Sequence, residues 1–401
     1  MKNKKVVLAF SGGLDTSFCA IYLKEKLGFE VHSALVNTGG FSIEELNKIE
    51  EKAYSLGVAS HTAIDKTEDY YSDSVKYLIF GNVLKNGTYP LSVSAERVCQ
   101  ATAIAVYARK IGAQAVAHGS TGAGNDQVRF DMIFNILIPD VKIITPIRDL
   151  KLSREEEIEF LQKHGVEINA EKAKYSINKG LWGTSVGGKE TLTSSEYLPE
   201  EAWSVPVTKH LSEKLELQFV KGEPIALNGI FMKPVEVIQQ LQDLAQPFGI
   251  GRDIHVGDTI IGIKGRVGFE AAAPIILVKA HHTLEKHTLT KWQLSWKEQL
   301  GAFYGNYLHE GQFHDPVMRD IEAFLTSTQH TVSGKVWIEL HPYRFVILGV
   351  ESEHDLMSGQ FGSYGEMNNV WSGEDVKGFS KIFGNQIMIW HKINQKTQSD
   401  D

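Results

Sequence analysis

Two glycine-rich segments carry most of the polar side chains that could do chemistry. Residues 11–17 read Ser-Gly-Gly-Leu-Asp-Thr-Ser, and residues 118–130 read His-Gly-Ser-Thr-Gly-Ala-Gly-Asn-Asp-Gln-Val-Arg-Phe. The first segment combines paired glycines with three hydroxyls, so its backbone N–H groups and hydroxyls can surround a phosphate. The second offers a hydroxyl, an amide, a carboxylate and a guanidinium close together, which suits a substrate bearing both carboxylate and amine groups.

Both segments follow a predicted strand. The continuous apolar run at residues 6–10 is typical of a strand buried on both faces of a parallel sheet. Further strands are predicted at 31–36, 59–64, 113–117 and 142–147, with helices between them, two of which begin at capping boxes after Ser42 and Ser153. This alternation predicts an α/β fold with a doubly wound parallel sheet, which binds ligands beyond the carboxyl ends of its strands.

Residues 11–17 have two interpretations, a nucleotide-phosphate loop and a glycine turn with a serine cap. The segment contains neither Gly-Lys-Ser/Thr nor Gly-x-Gly-x-x-Gly, which excludes the two better-known phosphate loops. Its place at the first strand–helix junction favours phosphate binding, because a helix N-terminus there has unpaired N–H groups and a favourable dipole.

The pattern changes after residue 165. A hairpin is predicted from strands 215–220 and 225–227, followed by helices and by a second pair of strands at 335–340 and 345–350. The helices are expected at about 234–246, 274–287, 290–308 and 315–328. We therefore predict three parts: a nucleotide-binding domain (1–165), an α+β synthetase or substrate domain (166–375) and a C-terminal helix (376–401). The last part either packs on a neighbouring subunit as an oligomerisation arm or closes its own domain.

Composition excludes several classes of protein. A net charge of −8 over 401 residues argues against a nucleic-acid-binding protein. Two cysteines make neither a disulfide framework nor a zinc site. The apolar run behind the lysine-rich start is too short for a secretory signal, and no stretch reaches the length of a membrane span. We expect a cytoplasmic protein without nucleic-acid or membrane partners.

Two charged clusters are predicted to lie on the surface. The group of His281, His282, Glu285 and His287 lacks the His-Glu-x-x-His spacing, so no protein-built metal site is predicted there. The glutamates at 155–157 begin a helix and are expected to form a solvated first turn.

Several motifs together resemble one known family. The loop "AFSGGLDTS" at 9–17 is similar to that of ATP pyrophosphatases, and with "HGSTGAGNDQVRF" at 118–130 and "YSINKGLWGTS" at 175–185 it resembles the argininosuccinate synthase family. The likeness continues through "KGEPIALNG" at 221–229 and "IGIKGRVGFE" at 261–270. It implies a ligase of arginine biosynthesis that uses ATP and Mg²⁺ to join citrulline and aspartate through a citrullyl-adenylate, releasing AMP and pyrophosphate. It also implies a homotetramer.

The resemblance assigns a role to each matching residue. The ATP-binding residues would be Ala9, Ser11, Gly12, Gly13, Leu14, Asp15, Thr16, Ser17, Val36 and Gly119. Aspartate would be bound by Thr121, Asn125 and Asp126, and citrulline by Tyr89, Ser94, Asn125, Arg129, Ser176, Ser185, Asp258 and Phe269. Three of the residues would take part in catalysis: Asp126 would steer or deprotonate the aspartate amine, Asp15 would neighbour magnesium or pyrophosphate, and Arg97 would assist the substrate carboxylate.

The sequence departs from the family pattern at the far end of citrulline. Gly257 stands where the family has a Glu, and Phe269 stands where it has a Tyr. Two interpretations remain open. Asp258 or Glu270 takes over the missing contacts, or the substrate lacks the α-ammonium group, as in an N-acylated citrulline, since burying an unpartnered ammonium is costly.

Two remoter functions also fit a phosphate loop of this kind. A tRNA-modifying ATP pyrophosphatase would need a basic surface and usually reactive cysteines, which this sequence offers poorly. A non-catalytic nucleotide-binding regulator would need no substrate-binding residues, so the intact Asn125, Asp126 and Arg129 argue against it.

Overall fold

The computed structural model describes residues 4–166, 175–357, 365 and 370–395. Residues 1–3 of the lysine-rich N-terminal segment lie outside the described residues. Residues 396–401, the end of the predicted C-terminal helix, also lie outside them. The chain divides into two compact units, Met1–His354 and Asp355–Asp401. Among the described residues, no helix combines the length and the apolar character needed to span a membrane.

A parallel sheet forms the first half of the larger unit. Its strands lie in the order β3-β2-β1-β4-β5, and every neighbouring pair is parallel. The strands are β1 (Lys5–Ala9), β2 (Glu30–Asn37), β3 (Ser60–Asp65), β4 (Ala115–Ala117) and β5 (Lys142–Ile144). Val6, Val7 and Leu8 are fully buried, as expected of a central strand covered on both faces. The predicted α/β fold with a doubly wound parallel sheet is confirmed.

Within the described residues 4–166, eight α-helices surround this sheet or extend from it. They are α1 (Leu14–Glu25), α2 (Ile43–Ser55), α3 (Thr67–Tyr70), α4 (Lys76–Phe80), α5 (Ser94–Ile111), α6 (Asp126–Leu137), α7 (Pro146–Leu150) and α8 (Arg154–Lys163). Both predicted capping boxes are present: the Ser42 hydroxyl accepts from the Glu45 backbone, and the Ser153 hydroxyl accepts from the Glu156 backbone. The reciprocal bonds from the serine backbones to the two glutamates complete each box.

The second half of this unit contains an antiparallel sheet in the order β10-β9-β8-β13-β14. Its strands are β8 (Glu213–Val220), β9 (Glu223–Leu227), β10 (Ile230–Phe231), β13 (Gly334–His341) and β14 (Arg344–Glu351). The accompanying helices are α9 (Pro234–Ala245), α10 (Ala272–Thr288), α11 (Lys291–His309) and α12 (Pro316–Thr328). The predicted hairpin, the later strand pair and all four helices are therefore present.

A further antiparallel sheet was not predicted from the sequence. It has the order β11-β12-β7-β6 and consists of β6 (Ser176–Gly180), β7 (Gly183–Gly187), β11 (Arg252–Asp258) and β12 (Lys264–Glu270). These strands are rich in glycine and polar residues and lack apolar alternation, so the usual strand signal is missing. The sheet places Ser185 directly opposite Phe269.

The smaller unit contains two described helices where one weak helix was expected, α13 (Gly373–Phe383) and α14 (Asn385–Asn394). Gly384 separates them. Neither helix has a buried side chain, and α13 exposes apolar residues at a helical spacing, namely Val376, Phe379, Ile382 and Phe383.

Candidate active site

A cavity of about 770 Å³ lies at the carboxyl ends of the parallel strands and extends to the β11–β12 hairpin. It brings together residues from the segments 9–17, 118–130, 175–185 and 261–270, but none from 221–229. The predicted site residues that line it are Ala9, Ser11, Gly13, Asp15, Thr16, Val36, Tyr89, Ser94, Arg97, Gly119, Thr121, Asn125, Asp126, Arg129, Ser176, Ser185 and Asp258. Four other predicted residues, Gly12, Leu14, Ser17 and Phe269, do not line it.

Three of these four residues shape the phosphate loop from behind. Gly12 has a φ of +75°, which favours glycine, and its carbonyl accepts a 2.6 Å hydrogen bond from Lys52 Nζ. The Ser17 hydroxyl is buried and donates to the Gly13 carbonyl at 2.7 Å. Leu14, the first residue of α1, packs against the apolar core. These three residues support the loop and do not line the cavity.

The loop ends at the N-terminus of α1, where Gly13 is the N-cap and supplies no side-chain cap. The first N–H groups of the helix are therefore available for an anion. Ser11 Oγ and Thr16 Oγ1 lie 3.4 Å apart beside them. Lys52 was not predicted as a site residue, because its role depends on how α2 packs against the loop.

Asp15 has a buried neighbour, Glu157, which the sequence analysis placed wrongly in a solvated turn. Glu155 and Glu156 are exposed, but Glu157 is only 2% exposed, because α8 packs against α1. Burial, and then the neighbouring Asp15, raise the pKa of Glu157 to about 8. Near neutral pH this carboxyl is therefore mainly protonated.

Two arginines hold Asp126 from opposite sides. Arg97 Nε lies 2.9 Å from Asp126 Oδ2, and Arg129 NH1 lies 2.8 Å from Oδ1. Burial opposes ionisation, but the two guanidinium groups outweigh it and hold the pKa of Asp126 below its ordinary value. Arg97 also donates to Gln100 and Asn178, at 2.8 and 2.7 Å. A charged carboxylate held by two arginines therefore lines the cavity.

Arg129 is fixed from its other side by α11. Its Nε donates to the carbonyl of His309 at 2.9 Å, and the ring Nδ1 of His309 lies 3.0 Å from the Ser94 hydroxyl. Burial, with the positive charge of Arg129, lowers the pKa of His309 to about 2, so this imidazole is neutral. His309 was not predicted, since only the fold brings the end of α11 to this position.

The hairpin and the second glycine-rich loop are tied together. The Asn125 side-chain oxygen accepts from the backbone N–H of Ile260 at 2.8 Å. Asn125 was predicted to touch both substrates, and this bond places it between the loop and the substrate-side sheet.

Glu96 is a buried carboxyl in the cavity wall that the sequence analysis did not single out. Gln100 Nε2 donates to one of its oxygens at 2.7 Å, and the other lies 2.1 Å from where a β-carbon on Gly180 would stand. Burial raises the pKa of Glu96 to about 7. Gly180 therefore has to be glycine for this carboxyl to fit.

Replacing Glu96 with Gln is expected to flatten the pH dependence of stability. The ordinary pKa of a Glu side chain is 4.5. Between pH 4.5 and pH 7, Glu96 therefore keeps a proton in the folded protein that it has lost in the unfolded chain. The free energy of unfolding consequently falls as the pH rises through this range. This loss is roughly 3 kcal/mol in the wild type and absent in the variant. Urea unfolding at pH 5, 6, 7 and 8 measures it. The exposed Glu155→Gln is the control, and parallel curves for the wild type and Glu96→Gln would refute the assignment.

Comparison with known proteins agrees with this architecture. Residues 5–167 match the family described as arginosuccinate synthase N-terminal HUP domain, and residues 175–390 match the arginosuccinate synthase C-terminal domain. The argininosuccinate synthase of Methanocaldococcus jannaschii is 39% identical over 96% of this chain and 97% of its own. The enzymes of Xanthomonas campestris and Pyrococcus furiosus are 38% and 35% identical, over 98% and 97% of this chain and 100% and 95% of theirs.

A HUP-type nucleotide-binding sheet joined to a substrate-side domain defines an ATP-dependent synthetase. The chain belongs to the argininosuccinate synthase family. The predictions of this family, of an enzyme, and of an ATP-dependent ligase of arginine biosynthesis are thereby confirmed.

Proposed function

We propose that this chain joins citrulline and aspartate through an adenylated intermediate formed in the cavity described above. The observation that carries the proposal is the continuity of one cavity from the phosphate loop to the group of Arg97, Asp126 and Arg129. ATP, a ureido substrate and an amino-dicarboxylate can then meet without moving between sites, which supplies the proximity that such ligation requires.

In the first step the ureido oxygen of citrulline attacks the α-phosphorus of ATP and the bond to pyrophosphate breaks. We assign the β- and γ-phosphates and the charge on the leaving pyrophosphate to the N–H groups at the start of α1 with Ser11 and Thr16, which line the cavity. We assign the orientation of citrulline to Arg129 and Ser94, which are buried in the cavity wall. Ala9, Val36 and Gly119 line the same cavity and are assigned to the adenosine moiety.

In the second step the aspartate amine attacks the ureido carbon, and the bond to AMP breaks. Thr121, Asn125 and Asp126 are assigned to aspartate. Because Arg97 and Arg129 keep Asp126 ionised at low pKa, it is a weak base. The geometry supports an orienting role for Asp126 over deprotonation of the amine. The bonds from Arg97 to Asp126 and Asn178 support a positioning role for Arg97.

Magnesium fits this site as an ion carried on the nucleotide phosphates. Mg²⁺ is usually held by one or two carboxylates together with phosphate oxygens, and the cavity offers the carboxylate of Asp15 beside the phosphate loop. The described residues contain no group of three or more acidic, histidine or cysteine ligands that could hold a metal by themselves. Bound there, the ion would neutralise phosphate charge.

Replacing Asp15 with Asn is therefore expected to impair adenylation, with a rise in the magnesium concentration needed for half-maximal rate. We expect a loss of about 10- to 100-fold in the rate, since one charged contact to the nucleotide site is removed. Magnesium titrations of AMP formation measure both effects, with the exposed Asp140→Asn as control. Unchanged turnover would disprove this role.

We also propose a cytoplasmic homotetramer in which the C-terminal helices are an oligomerisation arm. The apolar side chains of Phe379 and Ile382 on α13 are 64% and 77% exposed, and an unpartnered apolar helix face favours association. Sedimentation velocity is expected to give about four times the chain mass. Phe379→Glu with Ile382→Glu should shift the protein to smaller species and Ser380→Glu should not; a monomeric wild type would contradict the proposal.

The proposed division at 165/166 lies just after α8 (Arg154–Lys163), whereas the proposed division at 375/376 lies within α13 (Gly373–Phe383). The direct test of function is AMP formation from ATP, aspartate and a citrulline-type acceptor, with each component omitted in turn. A steady rate of AMP formation is expected only when ATP, aspartate and the acceptor are all present. ATP binding without turnover would favour the regulator instead, and AMP formation that needs tRNA would favour the tRNA-modifying enzyme.

A further inference from the structure

The two positions at which the resemblance predicts a departure at the citrulline end are Gly257, which lines the cavity, and Phe269, which lies behind the cavity-lining Tyr89. Phe269 is 1% exposed and packs against Tyr89, with ring centres 5.4 Å apart. Its ring has no hydroxyl to offer a substrate. Gly257 lies in the cavity wall on β11 and has no side chain. A carboxylate and a hydroxyl are therefore both absent from these positions.

His255 occupies the space that a side chain at position 257 would need. A β-carbon built on Gly257 would lie 2.5 Å from His255 Nε2, well inside van der Waals contact. The imidazole stacks on Tyr89 at 4.9 Å and lines the cavity. The observed position of the His255 imidazole therefore depends on Gly257, because a side chain at position 257 would collide with the ring.

The His255 imidazole is neutral and has an unused polar atom. It is 5% exposed, and its Nδ1 is buried without a hydrogen-bond partner among the described residues. Burial, followed by the positive charge of Lys85, lowers the pKa of His255. A neutral imidazole offers one N–H donor and one nitrogen acceptor but no negative charge. It suits an amide far better than an ammonium group.

Neither carboxylate suggested as a replacement is free to pair with an ammonium group. Glu270 is 1% exposed and lies outside the cavity, where it accepts from Arg252 Nε at 3.3 Å and from the Ser204 backbone at 2.8 Å. Asp258 is 65% exposed and lies 2.7 Å from Lys264 Nζ. The interpretation in which Glu270 takes over is therefore wrong, and Asp258 already has a cation.

The other acidic side chains that line the cavity either pair with protein groups or lie in the phosphate loop. Asp126 is held by two arginines, and Glu96 accepts from Gln100 with Arg97 beside it. Glu45 closes the capping box of α2, and Asp15 belongs to the phosphate loop. Among the described lining residues, none is an unpaired carboxylate next to His255. A free α-ammonium bound here would be desolvated without an anionic partner, which is costly.

We propose that the acceptor of this enzyme is a citrulline whose α-nitrogen is acylated, and that its acyl-amide group lies in the cavity against the His255 imidazole, next to Gly257. This inference about the acceptor rests on the proposed function and restricts the acceptor to one chemical class, the N-acylated citrullines. The amide nitrogen carries no charge, so no anionic partner is needed. His255 can donate to the amide carbonyl or accept from the amide N–H, according to its tautomer.

The chemistry at the ureido group is unchanged by this proposal. The ureido oxygen displaces pyrophosphate from ATP, and the aspartate amine then displaces AMP, while the amide bond stays intact. The product is an N-acylated argininosuccinate. A hydrolase acting on a later intermediate must therefore remove the acyl group.

The test compares citrulline, N-acetylcitrulline and N-succinylcitrulline as acceptors for the full-length enzyme, with ATP, Mg²⁺ and aspartate. We expect kcat/KM for an acylated acceptor to exceed that for free citrulline by at least about 100-fold, because a site whose buried groups pair with an amide discriminates strongly against an acceptor that lacks it. N-acetylcitrulline and N-succinylcitrulline carry a neutral and an acidic acyl group, so comparing them shows whether the site also requires a negative charge on the acyl group. Equal use or preference for free citrulline would overturn the inference and leave the proposed function standing. No AMP with any acceptor would overturn both.

A paired substitution tests the site itself. His255→Ile with Gly257→Glu removes the imidazole that a β-carbon at position 257 would meet and supplies the carboxylate expected in the family. It should shift the ratio of kcat/KM values toward free citrulline by at least about 10-fold. Val256→Thr, on the same strand with an exposed side chain, should leave the ratio unchanged. A double variant that folds, as judged by its circular dichroism, but keeps the wild-type ratio would contradict a role for these two residues.

Discussion

Replacing Asp126 with Asn is expected to lower the rate of ligation to aspartate by about 100- to 1,000-fold, a typical cost of removing a preorganised charged group from an active site. The carboxylate lies between Arg97 Nε and Arg129 NH1, at 2.9 and 2.8 Å. In the variant an amide N–H₂ would face one of these donors and no hydrogen bond could form there. Both arginines would lose the anion that orients them.

The two half-reactions separate the role of Asp126 from a general loss of structure. The aspartate-dependent step should fall more than the adenylation step, measured as exchange of isotope within ATP in the presence of acceptor alone. Asp140→Asn, in an exposed turn, should affect neither step. A variant in which both steps fall equally, or in which neither falls, would contradict the orienting role.

Replacing Lys297 with Met is expected to reduce the free energy of unfolding by about 3–5 kcal/mol, the cost of leaving a buried charge without its partner. Lys297 Nζ lies 2.9 Å from Glu285 Oε2, and the two side chains are 2% and 0% exposed. Burial alone would raise the pKa of Glu285, but His281, Lys297 and a hydrogen bond from Gln329 lower it overall. Without the lysine, Glu285 must be buried as an unpaired anion or take up a proton.

Two matched variants each change one residue of α10, the helix of Glu285. The double variant Lys297→Met, Glu285→Gln removes both charges and should recover part of the lost stability. The exposed Lys286→Met should change it by less than about 0.5 kcal/mol. Urea unfolding gives all four values. Equal stability of Lys297→Met and the wild type would show that the buried pair contributes little.

The same network shows where sequence reasoning about charged residues was wrong. His281 and Glu285 were expected on the surface, yet both are fully buried. Their partners are Asn82, which lies 2.7 Å from His281 Nδ1, and Gln329, which donates to Glu285 at 3.0 Å. These partners are 199 and 44 residues distant in sequence. No local pattern shows that a polar side chain will find such partners, so local periodicity could not predict this burial.

The fold was predictable where hydrophobic pattern and local signals agreed. Strand β1 was evident from its continuous apolar run, and the capping boxes at Ser42 and Ser153 marked two helix starts correctly. The sheet of β6, β7, β11 and β12 was not, because its strands consist largely of glycine and polar residues that face the cavity. The cavity-facing residues of this sheet therefore lack the hydrophobic pattern by which its strands could have been predicted.

Much of the site was predictable because its loops follow parallel strands, whose carboxyl ends meet at one edge of the sheet. The sequence could not show that Glu270 turns away to Arg252, nor that His255 fills the space beside Gly257. Both facts depend on the register of β11 with β12, which pairs Gly257 with Gly265 and Arg252 with Glu270. Register places a side chain on one face of a sheet or the other.

The most direct test of the account is exchange of ¹⁸O between the bridging and non-bridging positions of the β-phosphate of ATP, without aspartate. Exchange is expected only when a citrulline-type acceptor is present, because attack of the ureido oxygen must break the bond between the α- and β-phosphates reversibly. Exchange without any acceptor, or its absence while AMP is steadily formed in the complete reaction, would contradict a freely reversible adenylation as the first step in this cavity.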